Sequence, residues 1–202
     1  MKKLFSLLLC LAMLTLPVLG LAEASTLEYA NENGYYSFAY PDTWTLLSPE
    51  NVEEIFEAGQ TMLKDEALLA TLESARTAVE QYGMTMLMAP DYTTNINILA
   101  QTIGSSLSAS DILSMSSAFI TPISDALTDF TILNEAAVLP KFGENELVGF
   151  AYSYKMENSE LYGAQFYICP KTELIVLTFT CPLGQQDAYT NDLATILSTL
   201  SF

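Results

Sequence analysis

Acid–base and nucleophilic chemistry needs particular side chains, and histidine, the commonest of them, is absent from all 202 residues. Without an imidazole the usual catalytic triads cannot form. A serine activated by a lysine remains conceivable. The lysines that could serve are Lys64, Lys141, Lys155 and Lys171, and Ser153-Tyr154-Lys155 puts a hydroxyl and an amine on one face of a strand. Polar residues two apart on a strand are commonplace, so that spacing carries little weight. Two facing carboxylates could hydrolyse a glycosidic bond, but nothing in the sequence pairs two of them across a cleft. Zinc sites need Cys or His in number, and no glycine-rich phosphate loop occurs. No catalytic residue, metal ligand or cofactor is therefore expected.

The densest ionisable cluster is Glu50, Glu53, Glu54 and Glu57. Steps of three and four lay these carboxylates along one helical face. Such a face suits a weak cation site or a dock for a basic partner. It equally suits a helix N-terminus, whose dipole favours carboxylates, and this bland reading is the expected one. Calcium loops alternate oxygen ligands around a turn glycine, a pattern missing here. Trp44, beside Tyr40 and Pro41, could form a ligand platform, but a large aromatic of this kind more commonly plugs the end of a core. The tyrosines Tyr152, Tyr154, Tyr162 and Tyr167 could line a sugar or peptide surface; on a covered sheet they are expected in the core, with hydroxyls reaching the rim.

Composition narrows the partners. The chain is 50% hydrophobic and 15% charged, a globular balance. Its formal charge is −17, from seven basic and 24 acidic residues. Nucleic-acid binding rests on Lys and Arg displacing counterions from phosphate, and an anionic membrane surface makes the same demand. Both are excluded as partners. A cationic partner, or simple solubility, fits this charge.

The first 24 residues read as an address. Met1-Lys2-Lys3 is basic, Leu4 to Leu16 is an uncharged apolar run, and Ala22-Glu23-Ala24 supplies a small-residue cleavage site. These are the three regions of a secretory signal peptide. The apolar run is short for a membrane span of ~20 residues, so cleavage before Ser25 and an extracytoplasmic location are expected. A single domain then occupies 25–202. Two cysteines remain, Cys169 and Cys181. Exported proteins favour disulfides, but these two lie on strands 161–169 and 174–182, joined by a four-residue turn. Pairing Cys169 with Leu174 sets Cys181 opposite Tyr162, roughly 24 Å away at ~3.4 Å per residue. A disulfide needs Cα atoms within ~7 Å, so free, buried thiols are expected.

The positioning elements follow from periodicity. Gly34 to Tyr40 alternates and is rich in aromatics, as a strand does, and Trp44 to Leu47 continues as a short extended piece. Ser48 and Pro49 have the character of a helix start, and residues 49–82 read as helical, with a bend or break at Gly59 and a cap at Gly83. Strands are expected at 84–89 and 93–101. In the second, Thr93, Asn95, Asn97 and Leu99 share a face opposite Thr94, Ile96, Ile98 and Ala100. Ser108 and Asp111 have capping-box spacing ahead of a helical stripe at Ile112, Met115, Phe119, Ile123 and Leu127, with a kink or a new start at Pro122. Four strands follow, at about 130–139, 146–156, 161–169 and 174–181, with turns at 143–145 and 157–159. Residues 191–200 close the chain as a helix. Short connections imply antiparallel neighbours. The last three strands are apolar on both faces, and a sheet of that kind must be covered on both. The expected class is α+β: a three-layer α/β/α sandwich with a central antiparallel sheet of about six to seven strands.

At the level of motifs the chain resembles the PsbP-like family. Gly34-Tyr35-Tyr36-Ser37-Phe38-Ala39-Tyr40-Pro41-Asp42-Thr43-Trp44 resembles that family's "G-F-S-F-x-Y-P-x-x-W" opening. Thr94-Asn95-Ile96-Asn97-Ile98 is similar to its asparagine–hydrophobic strand, and Leu177-Thr178-Phe179-Thr180-Cys181-Pro182 to its late "L-T-F-x-A-P" strand. The resemblance implies an α/β/α sandwich shared with a Ran-binding transport factor, and a protein that binds partners rather than an established enzyme. With no histidine, no histidine metal ligand of the photosynthetic members can be placed here. The partner expected is an extracytoplasmic protein or, as alternatives, a small ligand or cation; a carboxylate-based hydrolase ranks last.

Overall fold

Strand alternation of apolar side chains builds a seven-stranded sheet at the centre of the computed structural model, which describes residues 25–62, 66–142, 145–156 and 159–202. The proposed signal segment, Lys64, and parts of the turns at 143–145 and 157–159 lie outside the described residues. In chain order the elements begin with β1 (Thr26–Ala30), β2 (Ser37–Pro41), β3 (Thr45–Leu47), α1 (Val52–Met62), α2 (Glu66–Tyr82), β4 (Thr85–Met88) and β5 (Asn95–Thr102). Then come α3 (Ala109–Ser114), α4 (Ser116–Ala126), β6 (Thr128–Phe142), β7 (Asn145–Met156), β8 (Ser159–Ile168), β9 (Glu173–Pro182), a 3-10 turn (Gln186–Tyr189) and α5 (Thr190–Thr199). The sheet order is β3-β4-β5-β9-β8-β7-β6, and every pairing is antiparallel.

The two faces of the sheet are covered differently. On one face Leu87, Ile96, Ile98, Leu177 and Phe179 are buried beneath the β1–β2 hairpin and α5, among Tyr36, Phe38, Tyr40, Trp44, Ile196 and Leu197. Each such apolar side chain taken from water contributes about 1.5–3 kcal/mol. The opposite face carries two separate clusters. Met86 and Met88 lie under α1 and α2 with Val52, Phe56, Leu72, Ala75 and Val79. Val148, Phe150, Tyr152 and Tyr167 lie under α3 and α4 with Ala109 and Ile112. The sandwich expected from a doubly apolar sheet is therefore present.

Several local expectations are met. The β8–β9 register sets Tyr162 opposite Cys181, and both cysteines are free and buried. Gly83 caps α2 at φ +62°, its N–H donating to the Val79 carbonyl at 2.9 Å; the left-handed region is open to glycine at no steric cost. Ser108 and Asp111 close a reciprocal capping box on α3.

Others are corrected. Residues 26–30, unassigned from sequence, pair with β2, and this hairpin forms its own two-stranded sheet rather than joining the central one. The helix expected over 49–82 is two helices. Gly59 lies inside α1, and the two helices pack side by side, Glu53 of α1 facing Arg76 of α2; residues 63–65 between them lie outside the described residues. The helix also begins later, at Val52. Pro49-Glu50-Asn51 forms a turn before it, which Ser48 closes: its carbonyl accepts from the Val52 N–H at 3.0 Å and its N–H donates to Asn51 Oδ1 at 2.8 Å. The stripe from Ile112 breaks at Met115 rather than at Pro122, which sits within α4. Met115 leaves helical geometry at φ −96°, ψ 3°, with its N–H shared between the Asp111 and Ile112 carbonyls.

Candidate functional site

The polar groups converge most tightly at one end of the sheet. Asp91, in the turn between β4 and β5, accepts from the Thr93 and Thr94 N–H groups at 3.0 and 2.8 Å, and from the Thr94 and Tyr189 hydroxyls at 2.8 Å each. Partial desolvation pushes its carboxyl upward, but the hydrogen bonds from Thr94, Tyr189 and Thr93 outweigh that and hold it at about 2. Tyr189 stands edge-on to Trp44, with centroids 5.9 Å apart, and the Trp44 indole N–H donates to Asp192 at 2.9 Å. Trp44 is 4% exposed. It plugs the core, as its type suggests, and ties the β2–β3 turn to α5. On the same face the Tyr36 hydroxyl donates to Thr85 at 2.8 Å, and Thr85 in turn donates to Tyr29 at 3.2 Å. Burial drives the Tyr36 phenol well above its ordinary value. All these groups are engaged in holding one element to another.

The acidic face is placed in two parts. Glu50 lies in the turn before α1 and accepts from the Tyr29 hydroxyl at 3.4 Å, while Glu53, Glu54 and Glu57 are exposed on α1. Glu53 faces Arg76 of α2 at 3.3 Å, and Arg76 also holds Glu73 at 2.8 Å and lies 4.2 Å over the Phe56 ring. Arg76 thus already supplies a positive charge to this surface and knits α1 to α2. Among the described residues, no three metal-ligating side chains gather at one point.

Two possible bases or nucleophiles, Lys155 and Cys181, sit in unreactive settings. The Lys155 ammonium donates to Asp129 at 2.9 Å, and that hydrogen bond raises its pKa. A lysine acting as a base requires the opposite shift. Burial pushes the Cys181 thiol up to about 12, which leaves almost no thiolate at neutral pH. Tyr152 and Tyr167 are buried and Tyr154 and Tyr162 half-buried, so the tyrosines belong mainly to the core. The Tyr152 ring covers Gly163 on the neighbouring strand so closely that a methyl group there would overlap it.

Two regions remain less covered. Between the helix pairs α1–α2 and α3–α4, the middle of the sheet presents a neutral polar stripe. Asn95 and Asn97 of β5 lie beside Thr180 and Thr178 of β9, and Gln165 of β8 continues the row. Gln165 donates to Thr178 at 3.2 Å and accepts from the Tyr167 hydroxyl, and Asn97 donates to Asn95 at 3.3 Å. The Asn97 Oδ1 is buried with no partner. The alternation in β5 announced this face. What sequence reading missed was that Gln165 and Thr178 would extend it across two more strands.

The other region is the corner of β6 and α4. β6 is an edge strand of 15 residues, and among the described residues it pairs with β7 alone. A groove of about 370 Å³ runs between it and α4, lined by Ser117, Ile120, Thr121, Ile132, Glu135 and Ala136. Leu133 and Val138 on β6 and Met115 at the start of α4 are 44%, 43% and 43% exposed. The strand was legible in the sequence, but its place at the sheet edge depends on sheet order, which no local pattern carries. Among the described residues, no helix is long and apolar enough to cross a membrane.

No family model matches the chain, and no curated protein matches its sequence. Solved structures do match its fold. The solution structure of cyanobacterial PsbP (CyanoP) from Synechocystis superposes with a TM-score of 0.54 at 14% identity, covering 93% of this chain and 98% of that one. A crystal structure from Bacteroides thetaiotaomicron gives 0.51 at 14% identity, over 86% of this chain and 47% of that one. The Ran-binding protein Mog1p of Saccharomyces cerevisiae gives 0.48 at 7% identity, over 89% and 96%. The chain has the PsbP-type fold, an α+β sandwich around an antiparallel sheet, as its motifs implied. At these identities the likeness is one of architecture, and function does not travel with it.

Proposed function

We propose that this protein is an exported, non-catalytic module that binds another protein outside the cytoplasm. The observation that carries this reading is the β6–α4 corner, where a long edge strand, exposed apolar side chains and a groove occur together. Elsewhere the most tightly placed ionisable and aromatic groups anchor one element to another: Asp91 to Tyr189, Trp44 to Asp192, Arg76 to Glu53 and Glu73. Export rests on the first 24 residues, and mass spectrometry of the exported protein should find Ser25 at its N-terminus; an intact Met1 would remove that element. Affinity capture with the exported protein should find a partner whose binding saturates. No saturable partner at micromolar protein would contradict the module.

A second reading is favoured by the Asn97 carbonyl. An unsatisfied buried acceptor costs about 1–3 kcal/mol, so a small hydrogen-bond donor in the polar stripe would relieve that cost. Thermal shift against sugars and peptides tests the stripe, and against calcium the face of Glu50, Glu53, Glu54 and Glu57, because a ligand specific to the folded state raises Tm. Flat responses remove both sites.

A further inference from the structure

A sheet edge and a groove beside it are separate features unless one ligand can use both. Here they adjoin: the groove is the space between β6 and α4, and Ile132, Glu135 and Ala136 of β6 form one wall while Ser117, Ile120 and Thr121 of α4 form the other. A strand laid against the outer side of β6, where no strand pairs among the described residues, would add a backbone ladder there and, because strand side chains alternate in direction, would send every second side chain toward the groove. Main-chain pairing gives such a complex its affinity and the pocket gives it selectivity.

We propose that β6 is the docking edge of this protein, and that its occupant is a short extended segment of another protein, with apolar residues alternating with Lys or Arg. This rests on the binding-module reading above and names its surface and its ligand chemistry. Charge selects the occupant. With a formal charge of −17, a second copy of this chain is repelled from the edge, whereas a basic segment is attracted to it. Glu135 places one carboxylate in the groove wall itself. The shape of β6 sets the length. Its pairing with β7 shifts register at four places, after Thr128, Ile132, Asn134 and Leu139. Such irregularities protect natural edges from unlimited strand addition, and they restrict a docked partner to a brief stretch around the regular run Ala137–Leu139 and the groove beside it. The exposed Leu133 and Val138 then find apolar cover.

The test uses the full exported protein and three synthetic peptides: one alternating valine and lysine, one alternating valine and glutamate, and the valine–lysine peptide with N-methylated backbone. Amide hydrogen exchange should slow in Thr128–Leu139 with the first peptide alone. Two exposed positions supply variants that leave the fold intact. Ser117→Trp fills the groove and should weaken the valine–lysine peptide about tenfold. Glu135→Lys should weaken it about threefold and improve the glutamate peptide. Protection appearing elsewhere overturns the proposal, as does equal binding of all three peptides, affinity unchanged in both variants, or no binding at millimolar peptide. A natural partner that binds saturably but protects another surface sinks the edge assignment and leaves the binding module standing. Absence of any saturable partner sinks the module itself.

Discussion

Two ends of the same sheet solve opposite problems. At the β3–β4 end, turns and the closing helix are locked by Trp44, Tyr189, Asp91 and Asp192, joined through two hydrogen bonds and an edge-on ring contact. At the β6 end a 15-residue strand has no partner on its outer side among the described residues, and Leu133 and Val138 are exposed. Burial and paired polar groups make a region expensive to disturb. Exposed apolar surface beside unpaired backbone makes a region cheap to cover. The contrast teaches that rigidity and availability are divided between regions, with the rigid end fixing the sheet that presents the open one.

Breaking the locked end should cost most. Trp44→Ala removes a buried indole, its edge contact with Tyr189 and its hydrogen bond to Asp192, and should destabilise by about 3–5 kcal/mol in urea unfolding. Thr85→Val leaves the buried Tyr36 hydroxyl without its acceptor and should cost about 1–3 kcal/mol by the same measurement. Acid should reach this end through Asp91. Its carboxyl is held at about 2 against an ordinary 3.8, so its contribution is complete above the higher value and is lost as pH falls through the lower one. Asp91→Asn should flatten the acid limb of a pH–stability curve between those values; an unchanged limb would show that the carboxylate is not anchored. The open end should hardly respond. Leu133→Ser is expected within about 0.5 kcal/mol of the parent protein, and a larger loss would mean that β6 is already covered.

This contrast was only partly written in the sequence. Alternation placed Ile96, Ile98, Leu177 and Phe179 on a covered face, and the turn lengths set the Tyr162–Cys181 register correctly. Short-range chemistry also revealed the Ser108–Asp111 capping box and the Gly83 cap. Long-range pairing was not legible. Nothing local to Thr26–Ala30 shows that it finds β2, and nothing local to β6 shows that it ends the sheet. The break at Met115 escaped because the apolar stripe continues across it, whereas Pro122, the obvious breaker, is tolerated within α4. Of the site residues, Glu53 was legible as a charge, but Arg76 opposite it on α2 was not, since that meeting depends on how two helices pack. The groove at β6 belongs to the same class, assembled from an edge and a helix whose adjacency only the fold decides.

Site-specific photocrosslinking in the native extracytoplasmic compartment tests the central division most directly. A photoreactive residue at Val138 is compared with one at Leu183, which is similarly exposed, at 40%, but lies outside the β6 corner. A discrete adduct from position 138, competed away by the valine–lysine peptide and missing from position 183, is the predicted result. An adduct of equal yield from both positions, or from position 183 alone, would contradict the account.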